Sequence, residues 1–180
     1  MMDMLYNCDL KILFFINQTL SNPVFDYTMP TFDNPENWVP FILLIWIYTC
    51  IKDKNNRIKL IILLPLTILF CDQIGGLIKD FHLRDRPWFS LGDDVINYLG
   101  KSTGKHQSFP SNHALNISGV SFLFSHTYPH YKRYFWSMAF VIMYSRIYIG
   151  VHYPLDVFCG CLIGILISFI ITKLWERYVY

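Results

Sequence analysis

The sequence predicts an all-α integral membrane protein: a helical bundle of five transmembrane helices, preceded by a helix that is either interfacial or a sixth span. Hydrophobic residues make up 53% of the chain and charged residues only 16%, which is typical of a membrane protein. The apolar positions form long blocks instead of the stripes of a soluble amphipathic helix. Basic residues gather in the short connections between these blocks. At this length, residues 1–180 are expected to form a single membrane-embedded domain.

Residues 1–37 contain one apolar stretch, Leu10 to Leu20, which is interrupted by Asn17 and Gln18. The stretch is followed by three prolines, Pro23, Pro30 and Pro35. We interpret it as an interfacial or partly inserted helix, and the sequence leaves a sixth full span open as the alternative. Asp3 and Asp9 stand where a cleavable signal carries basic residues, so we expect this segment to be retained.

Five further apolar blocks are candidates for helices that cross a bilayer, whose core accommodates about 20 residues of helix. Pro65 is expected to kink the second of them. The first is short at its clear apolar limits. The predicted spans are Trp38 to Ile51, Ile58 to about Lys79, Asn112 to about Tyr128, Tyr134 to Gly150, and Pro154 to about Lys173.

Three short polar clusters interrupt this apolar chain: KDFHLRDRP at Lys79 to Pro87, PSNH at Pro110 to His113, and SRIYIGVHYPLD at Ser145 to Asp156. A phosphoryl group in transfer spreads negative charge over three oxygens, so its cleavage needs several fixed positive donors. Arg86 and Arg146 each offer a planar fork to phosphate oxygens, and Lys79 adds a point charge. The clusters therefore indicate a site for phosphate chemistry.

The same clusters supply candidates for nucleophilic and acid catalysis. His152 lies just before a helix that Pro154 can open, and His113 lies in the first turn of another helix. Two imidazoles beside one phosphate suit a nucleophile and a general acid. Asp156 follows His152 by four residues, close enough to accept a hydrogen bond from one ring nitrogen. Ser111, where a helix begins, adds a hydroxyl and neighbouring free backbone amides.

Neither a metal nor a cofactor is predicted, because no cluster of carboxylates or cysteines stands out and the cations already supply positive charge. The odd, scattered set of cysteines predicts structural packing in apolar runs and no disulfide framework. It comprises Cys8, Cys50, Cys71, Cys159 and Cys161. The net charge of +2 is small, and the basic residues are spread over several connections, which argues against nucleic acid as a partner.

In their order and spacing, the three clusters resemble the type-2 phosphatidic acid phosphatase superfamily, whose signature is KxxxxxxRP, PSGH and SRxxxxxHxxxD. The match covers residues 79–156, and Asn112 stands where glycine is usual. The resemblance implies that His152 attacks phosphorus to give a phosphohistidine, that His113 protonates the leaving oxygen and that Asp156 orients the nucleophile. It also implies a phosphate-binding set of Lys79, Arg86, Ser111, Asn112 and Arg146.

The predicted activity is metal-independent hydrolysis of a lipid phosphate or diphosphate, with release of inorganic phosphate. Within what the resemblance implies, undecaprenyl diphosphate ranks first, lipid A 1-phosphate and phosphatidylglycerophosphate next, and phosphatidic acid last. Two alternatives are a lipid-to-lipid phosphotransferase and a non-enzymatic lipid-binding membrane protein. A vanadium haloperoxidase shares a related anion site, but its members are typically soluble, and the predicted spans argue against it. The oligomeric state is left open.

The distribution of basic residues predicts the orientation in the membrane, because translocated loops are poor in Lys and Arg. All three clusters and the loop from Asp80 to Phe109 lie at one end of the predicted bundle, which we expect to face the periplasm or exterior of a bacterial-type inner membrane. The opposite end, predicted to be cytoplasmic, carries Lys52, Lys54, Arg57, Lys59, Lys132, Arg133, Lys173 and Arg177.

A few other residues carry expectations of their own. Asp72 falls inside the second span and lies seven residues before Lys79, which predicts a structural pairing on a shared helix face. Gly160 and Gly164 predict close helix packing within the chain ahead of dimerisation. The polar loop from Phe89 to Gln107 is the predicted head-group selector.

Overall fold

The computed structural model describes residues 2–92, 94–101 and 104–179, apart from the side chains of Met2 and Asp3. The all-α prediction is confirmed, and the described ranges contain no strand beyond a single bridge between Arg84 and Gln107. The α-helices are α1 (Met2–Phe14), α2 (Pro23–Thr28), α3 (Val39–Lys52), α4 (Arg57–Lys79), α5 (Pro87–Leu91), α6 (Asn112–Thr127), α7 (Lys132–Tyr148) and α8 (Pro154–Tyr178). A π turn (Phe15–Thr19) and the 3-10 turns Met29–Phe32, Pro35–Asn37 and Pro129–Tyr131 complete the elements.

The helices fall where the apolar blocks are, with shifted ends. Helix α8 continues five residues beyond the predicted Lys173, and α7 ends at Tyr148 instead of Gly150. Of the described helices, α4 and α8 are long and apolar enough to cross a membrane by themselves, while α3 is apolar but has only 14 residues. The count of five spans therefore stays a prediction.

Helix α6 forms the centre of the bundle and packs against α4, α7 and α8. Its Leu115 and Leu123 are fully buried. The two glycines of α8 face its backbone: a Cβ at Gly160 would lie 2.7 Å from the Ser111 carbonyl oxygen, and one at Gly164 would overlap the Leu115 carbonyl oxygen. The predicted close packing within the chain is thus confirmed, and it brings the start of α8 against the start of α6.

The amino-terminal segment packs on the end of the bundle where α8 begins. Leu13 and Asn17 are fully buried. Asn17 donates from Nδ2 to the carbonyl oxygens of Tyr148 (2.6 Å) and Asn97 (2.8 Å). Asn17, one of the two residues that interrupt the apolar stretch in the sequence, therefore links this segment to the end of α7 and to the loop before α6.

The turn between α7 and α8 fixes two of the predicted site residues relative to each other. Gly150 has φ +75°, a left-handed conformation that glycine adopts without steric penalty. The Arg146 carbonyl oxygen accepts from the backbone N–H groups of Val151 (3.3 Å) and His152 (3.2 Å). Arg146 and His152 are thereby held at the same end of the bundle.

Candidate active site

A cavity of about 390 Å³ opens at the end of the bundle where α4 ends and α6 and α8 begin. Its walls combine cations, two imidazoles and residues from the amino-terminal segment. Of the eight predicted site residues, six line it: Lys79, Arg86, Asn112, His113, Arg146 and His152. The other two, Ser111 and Asp156, are fully buried behind its wall.

The three predicted cations are held by backbone carbonyl groups and by one carboxylate. Lys79 donates from Nζ to the Gln107 carbonyl oxygen (3.2 Å), and Arg86 donates from Nη1 to the Val151 carbonyl oxygen (3.2 Å). Burial and the nearby charge of Arg146 lower the pKa of Arg86 to about 10, so its guanidinium remains charged at neutral pH. Among the described residues, Nε of Arg86 and Nε of Arg146 are buried without a hydrogen-bond partner, which suits an anion at this position.

His152 presents a neutral ring to the cavity. Its Nε2 lies 3.5 Å from Arg86 Nη1. Since a guanidinium can only donate, Nε2 carries a lone pair and the proton belongs on Nδ1. Burial, followed by the charges of Arg86 and Arg146, lowers the pKa of His152 well below its usual range. A neutral imidazole whose Nε2 lone pair has only this long contact with an arginine can act as a nucleophile.

The second imidazole belongs to the first turn of α6. His113 Nε2 lies 3.0 Å from the Asp33 carbonyl oxygen. Because a carbonyl oxygen only accepts, Nε2 carries a hydrogen, and Nδ1 is left as the nitrogen available to a substrate. The structure thus brings His113 and His152 to the wall of one cavity, with Nε2 of each ring in contact with the protein, as a donor in His113 and as an acceptor in His152.

The prediction that His152 forms a hydrogen bond with Asp156 is wrong. Nδ1 of His152 and Oδ2 of Asp156 are 3.8 Å apart, beyond hydrogen-bond range. Oδ2 instead accepts from Ser108 Oγ (2.6 Å) and from the Tyr153 backbone N–H (3.0 Å). The second of these bonds caps α8, and the helix start draws the carboxylate toward its own backbone. Asp156 still lies on the Nδ1 side of the ring.

Arg84 and Asp9 were not predicted to take part. Arg84 donates from Nη1 to Asp156 Oδ1 (3.1 Å) and from Nη2 to Asp9 Oδ2 (2.6 Å), while Asp9 Oδ1 accepts from the Leu155 backbone N–H (2.8 Å). The guanidinium also lies 3.6 Å from the centre of the Tyr153 ring. One sequence signal was available: an acidic residue in an apolar helix requires a partner when it is buried.

Asp33 is the third residue that sequence reasoning missed. Its carboxylate lines the cavity, pairs with Arg146 Nη1 through Oδ1, and accepts from the Lys101 backbone N–H through Oδ2 (3.0 Å). Burial acts to raise the pKa of Asp33, but the charge and hydrogen bond of Arg146 outweigh it and hold the pKa below its usual range. The side chain is therefore an anion inside a predominantly cationic cavity. The sequence pattern around it contains no signal for this position.

An apolar groove of about 360 Å³ adjoins the cavity and runs between α3, α4 and α6. It shares Pro35, Asn112 and His113 with the cavity. Asp72 lines this groove and accepts from Asn116 Nδ2 (2.7 Å). The predicted pairing with Lys79 is thus wrong, because the neighbouring helix supplies the partner.

The described residues contain no group of three or more His, Cys, Asp or Glu side chains arranged to hold a metal ion. All five cysteines have free thiols. The predicted head-group loop contains Asp93, Ser102 and Thr103, which lie outside the described residues. From the described part of that loop, Lys101 lines the cavity.

Comparisons with known proteins give a family and several relatives for this chain. A family model described as the PAP2 superfamily matches residues 59–180. Lipid A 4'-phosphatase from Bacteroides thetaiotaomicron is 29% identical over 175 residues, which span 91% of this chain and 75% of the relative. Undecaprenyl-diphosphatase from Sulfolobus acidocaldarius is 31% identical over 143 residues, which span 76% of this chain and 63% of the relative.

Two crystal structures share the fold. Aquifex aeolicus LpxE superposes with a TM-score of 0.75 and 32% identity, covering 91% of this chain and 94% of LpxE. A PAP2-type phosphatidylglycerolphosphate phosphatase from Bacillus subtilis superposes with a TM-score of 0.68 and covers 97% of this chain and 88% of that one. Its identity is only 19%, so this second likeness concerns the fold alone.

Proposed function

The chain belongs to the PAP2 superfamily, and from that membership we propose that it hydrolyses a lipid phosphate or diphosphate through a phosphohistidine on His152. The observation that carries the proposal is the shared cavity wall of His152, His113 and three cations, Lys79, Arg86 and Arg146. Positive charge at fixed positions stabilises the phosphoryl group in transfer, and the neutral His152 ring supplies the electron pair.

The proposed reaction has two steps. In the first, Nε2 of His152 attacks phosphorus while the bond to the leaving oxygen breaks, and protonated His113 gives that oxygen a proton. The products are the lipid alcohol, or the lipid monophosphate when the substrate is a diphosphate, and phosphohistidine. In the second step, His113 takes a proton from water as the water oxygen attacks phosphorus, which releases inorganic phosphate and restores both rings.

The remaining site residues are proposed to bind or position. Arg86 and Arg146 bind phosphate oxygens through their forks and Lys79 through its ammonium group. Asn112 lines the cavity and offers its amide. Ser111 is proposed to contribute from behind the wall, where its Oγ is buried without a hydrogen-bond partner among the described residues. Asp156 is proposed to orient His152 from the Nδ1 side.

We place the cavity on the periplasmic or external face of a bacterial-type inner membrane. The support is the set of basic residues in the connections at the end opposite the cavity. The cavity occupies one end, and basic side chains cluster at the other, in the connections from α3 to α4 and from α6 to α7. Such clusters mark cytoplasmic connections.

The substrate is proposed to be an envelope lipid that carries a phosphate or a diphosphate. The apolar groove beside the cavity supports a lipid, because a hydrocarbon chain can lie there while its phosphate occupies the cavity. Undecaprenyl diphosphate and lipid A phosphates are both candidates, since relatives carry these activities in their names.

The test is phosphate release by purified protein from undecaprenyl diphosphate, lipid A, phosphatidylglycerophosphate and phosphatidic acid, each with a chelator present. We expect release from at least one lipid and complete loss in His152→Ala. The matched control is His130→Ala, which removes an exposed imidazole at the opposite end of the bundle and should leave the rate unchanged. Rapid quenching with radiolabelled substrate should trap label on the wild-type protein and none on His152→Ala.

Each rival has its own outcome in this assay. Release that requires an added acceptor lipid would identify a phosphotransferase. Release that depends on an added metal would contradict the cation-only scheme. No release from any lipid phosphate, with binding retained, would identify a lipid-binding protein and overturn the proposed function.

A further inference from the structure

The apolar groove contains one polar feature that the proposed reaction does not use. Asp72 of α4 and Asn116 of α6 face each other across it and form a hydrogen bond of 2.7 Å from Asn116 Nδ2 to Asp72 Oδ1. The rest of the groove is almost entirely apolar, formed by side chains such as Trp38, Ile42 and Leu64. Apart from Asn112 and His113 where the groove meets the cavity, this carboxylate and amide are the polar side chains among the described residues that line it.

The pair lies at a defined depth below the phosphate cavity. Asp72 precedes Lys79 by seven residues on α4, which corresponds to about 10 Å along a helix. Asn116 follows Asn112 by four residues on α6, about 6 Å along that helix. Since Asn112 and His113 line both the groove and the cavity, a lipid with its phosphate in the cavity would pass this pair within its first several chain atoms.

A purely structural role in joining α4 to α6 does not account for the placement of Asp72. An ionisable side chain within a membrane helix is unfavourable and normally faces a partner or a cavity. A bond serving helix packing alone is best buried between the helices, yet Asp72 is exposed on the groove side. The carboxylate is therefore accessible to whatever occupies the groove.

Asp72 offers an acceptor to the groove, and Asn116 holds it in place. One carboxylate oxygen of Asp72 receives the Asn116 amide hydrogen, which leaves the other oxygen free in this pair. Asn116 Oδ1 is buried, so a ligand in the groove meets the exposed Asp72 carboxylate. A carboxylate oxygen accepts hydrogen bonds, so the complementary group on a ligand is a donor, namely a hydroxyl or an amide N–H.

We propose that Asp72 and Asn116 select lipid phosphates whose chain carries a hydroxyl or amide N–H a few atoms below the phosphate. This inference depends on the proposed function, because it assigns the substrate class of the same site. N-acylated and hydroxyacylated lipid phosphates provide such donors. A polyprenyl chain or a diacylglycerol with ester links provides none at this depth, and leaving the free Asp72 oxygen unpaired against such a chain is unfavourable. The donor-bearing class therefore ranks above undecaprenyl diphosphate.

The test uses three synthetic probes of matched chain length: N-(β-hydroxyacyl)ethanolamine phosphate, N-acylethanolamine phosphate and O-acyl ethylene glycol phosphate. They share a phosphate and an acyl chain and differ in having two donors, one donor and none. Phosphate release gives kcat/KM for each probe with the wild-type protein. We expect the first probe to exceed the third by about tenfold, equivalent to ~1.4 kcal/mol, with the second between them.

The variants Asp72→Leu and Asn116→Leu should each reduce this ratio toward one. Gln73→Leu is the matched control, because it makes the same polar-to-apolar change at the adjacent α4 position, which is exposed and outside the groove, and should keep the wild-type ratio. Because the readout is a ratio between probes on one preparation, a partial loss of folded protein cancels.

The outcomes separate this inference from the proposed function. Release from all three probes at equal kcat/KM overturns the donor selection and leaves the phosphatase standing. An equal fall for all three probes in Asp72→Leu shows a structural role and also overturns it. No release from any probe or natural lipid phosphate overturns the proposed function itself.

Discussion

Arg84 donates from Nη1 to Oδ1 of Asp156 over 3.1 Å, while Oδ2 of the same carboxylate caps the start of α8. The same guanidinium reaches Asp9 of α1 at 2.6 Å and stacks on the Tyr153 ring. A planar fork can serve two carboxylates at once, which a lysine cannot do with the same geometry. The orientation of Asp156 thus depends on α1, a helix outside the residues matched by the family model.

Replacement of Arg84 by lysine is expected to lower kcat about 10- to 100-fold with little change in KM, since hydrogen bonds to charged groups contribute roughly 1.5–3 kcal/mol. Positive charge is kept, so the loss would reflect orientation of Asp156. Arg177→Lys is the control: it also changes an arginine beside a tyrosine ring, but at the far end of α8. A rise in KM with unchanged kcat would assign Arg84 to substrate binding instead.

Removing the negative charge of Asp33 should strengthen anion binding. Asp33 pairs with Arg146 inside the cavity. Its carboxylate therefore competes with a bound anion for Arg146, and it also repels that anion. We expect Asp33→Asn to lower the inhibition constant of vanadate about fivefold, corresponding to ~1 kcal/mol. Vanadate is the probe because its trigonal adduct on His152 would resemble the phosphoryl group in transfer.

The control for that measurement is Asp94→Asn, an equal charge change at an exposed loop residue. The backbone carbonyl of Asp33, which accepts from His113, is retained in the variant. Weaker vanadate inhibition in Asp33→Asn than in wild type would show that the carboxylate supports Arg146 more than it competes with the anion, contrary to this prediction.

The pH profile should move when Arg86 loses its charge. Burial, then Arg86 and Arg146, hold the pKa of His152 low, so the nucleophile stays neutral as the pH falls. Removing the Arg86 charge raises the pKa of His152, and protonation then disables the ring at a higher pH. We expect Arg86→Gln to shift the acid limb of kcat/KM upward in pH, in addition to lowering its plateau.

Lys105→Gln provides the comparison for this shift. It removes one positive charge from an exposed side chain whose backbone carbonyl, not its ammonium group, contacts Arg86. Its acid limb should coincide with that of wild type. An acid limb that stays in place in Arg86→Gln would mean that His152 does not set it.

The sequence predicts the site residues that lie in short local clusters and misses those whose partners are far away in the chain. Arg86, Arg146 and His152 lie in local clusters with fixed spacing, and they meet in one cavity. Asp33 pairs with a residue 113 positions away, a contact that depends on how the amino-terminal segment folds over the bundle. The spacing of residues within one segment does not predict a partner that lies in a distant segment.

Asp72 shows the same limit within a single helix. A separation of seven residues does put Asp72 and Lys79 on a similar face of α4. Lys79, however, reaches the Gln107 carbonyl oxygen, and Asp72 reaches Asn116 on α6. Helical periodicity predicts which face a side chain shares, whereas the neighbouring elements decide its partner.

The close approach of α6 and α8 predicts that alanine at Gly164 of α8 lowers the stability of the protein, whereas alanine at Gly76 of α4 does not. A Cβ at Gly164 would overlap the Leu115 carbonyl oxygen and Ser118 Oγ, whereas a Cβ at Gly76 in α4 meets no atom within 4 Å. Overpacking destabilises by about 1–3 kcal/mol, and replacing a helical glycine by alanine in open space stabilises by up to about 1 kcal/mol. Gly164→Ala should therefore lower the midpoint of thermal unfolding in detergent, and Gly76→Ala should keep or raise it.

Because α8 carries Asp156 in its first turn and His152 lies just before it, Gly164→Ala should also lose phosphate release at a lower temperature than wild type. A midpoint for Gly164→Ala equal to that of Gly76→Ala would mean that the two helices are farther apart than the structure places them.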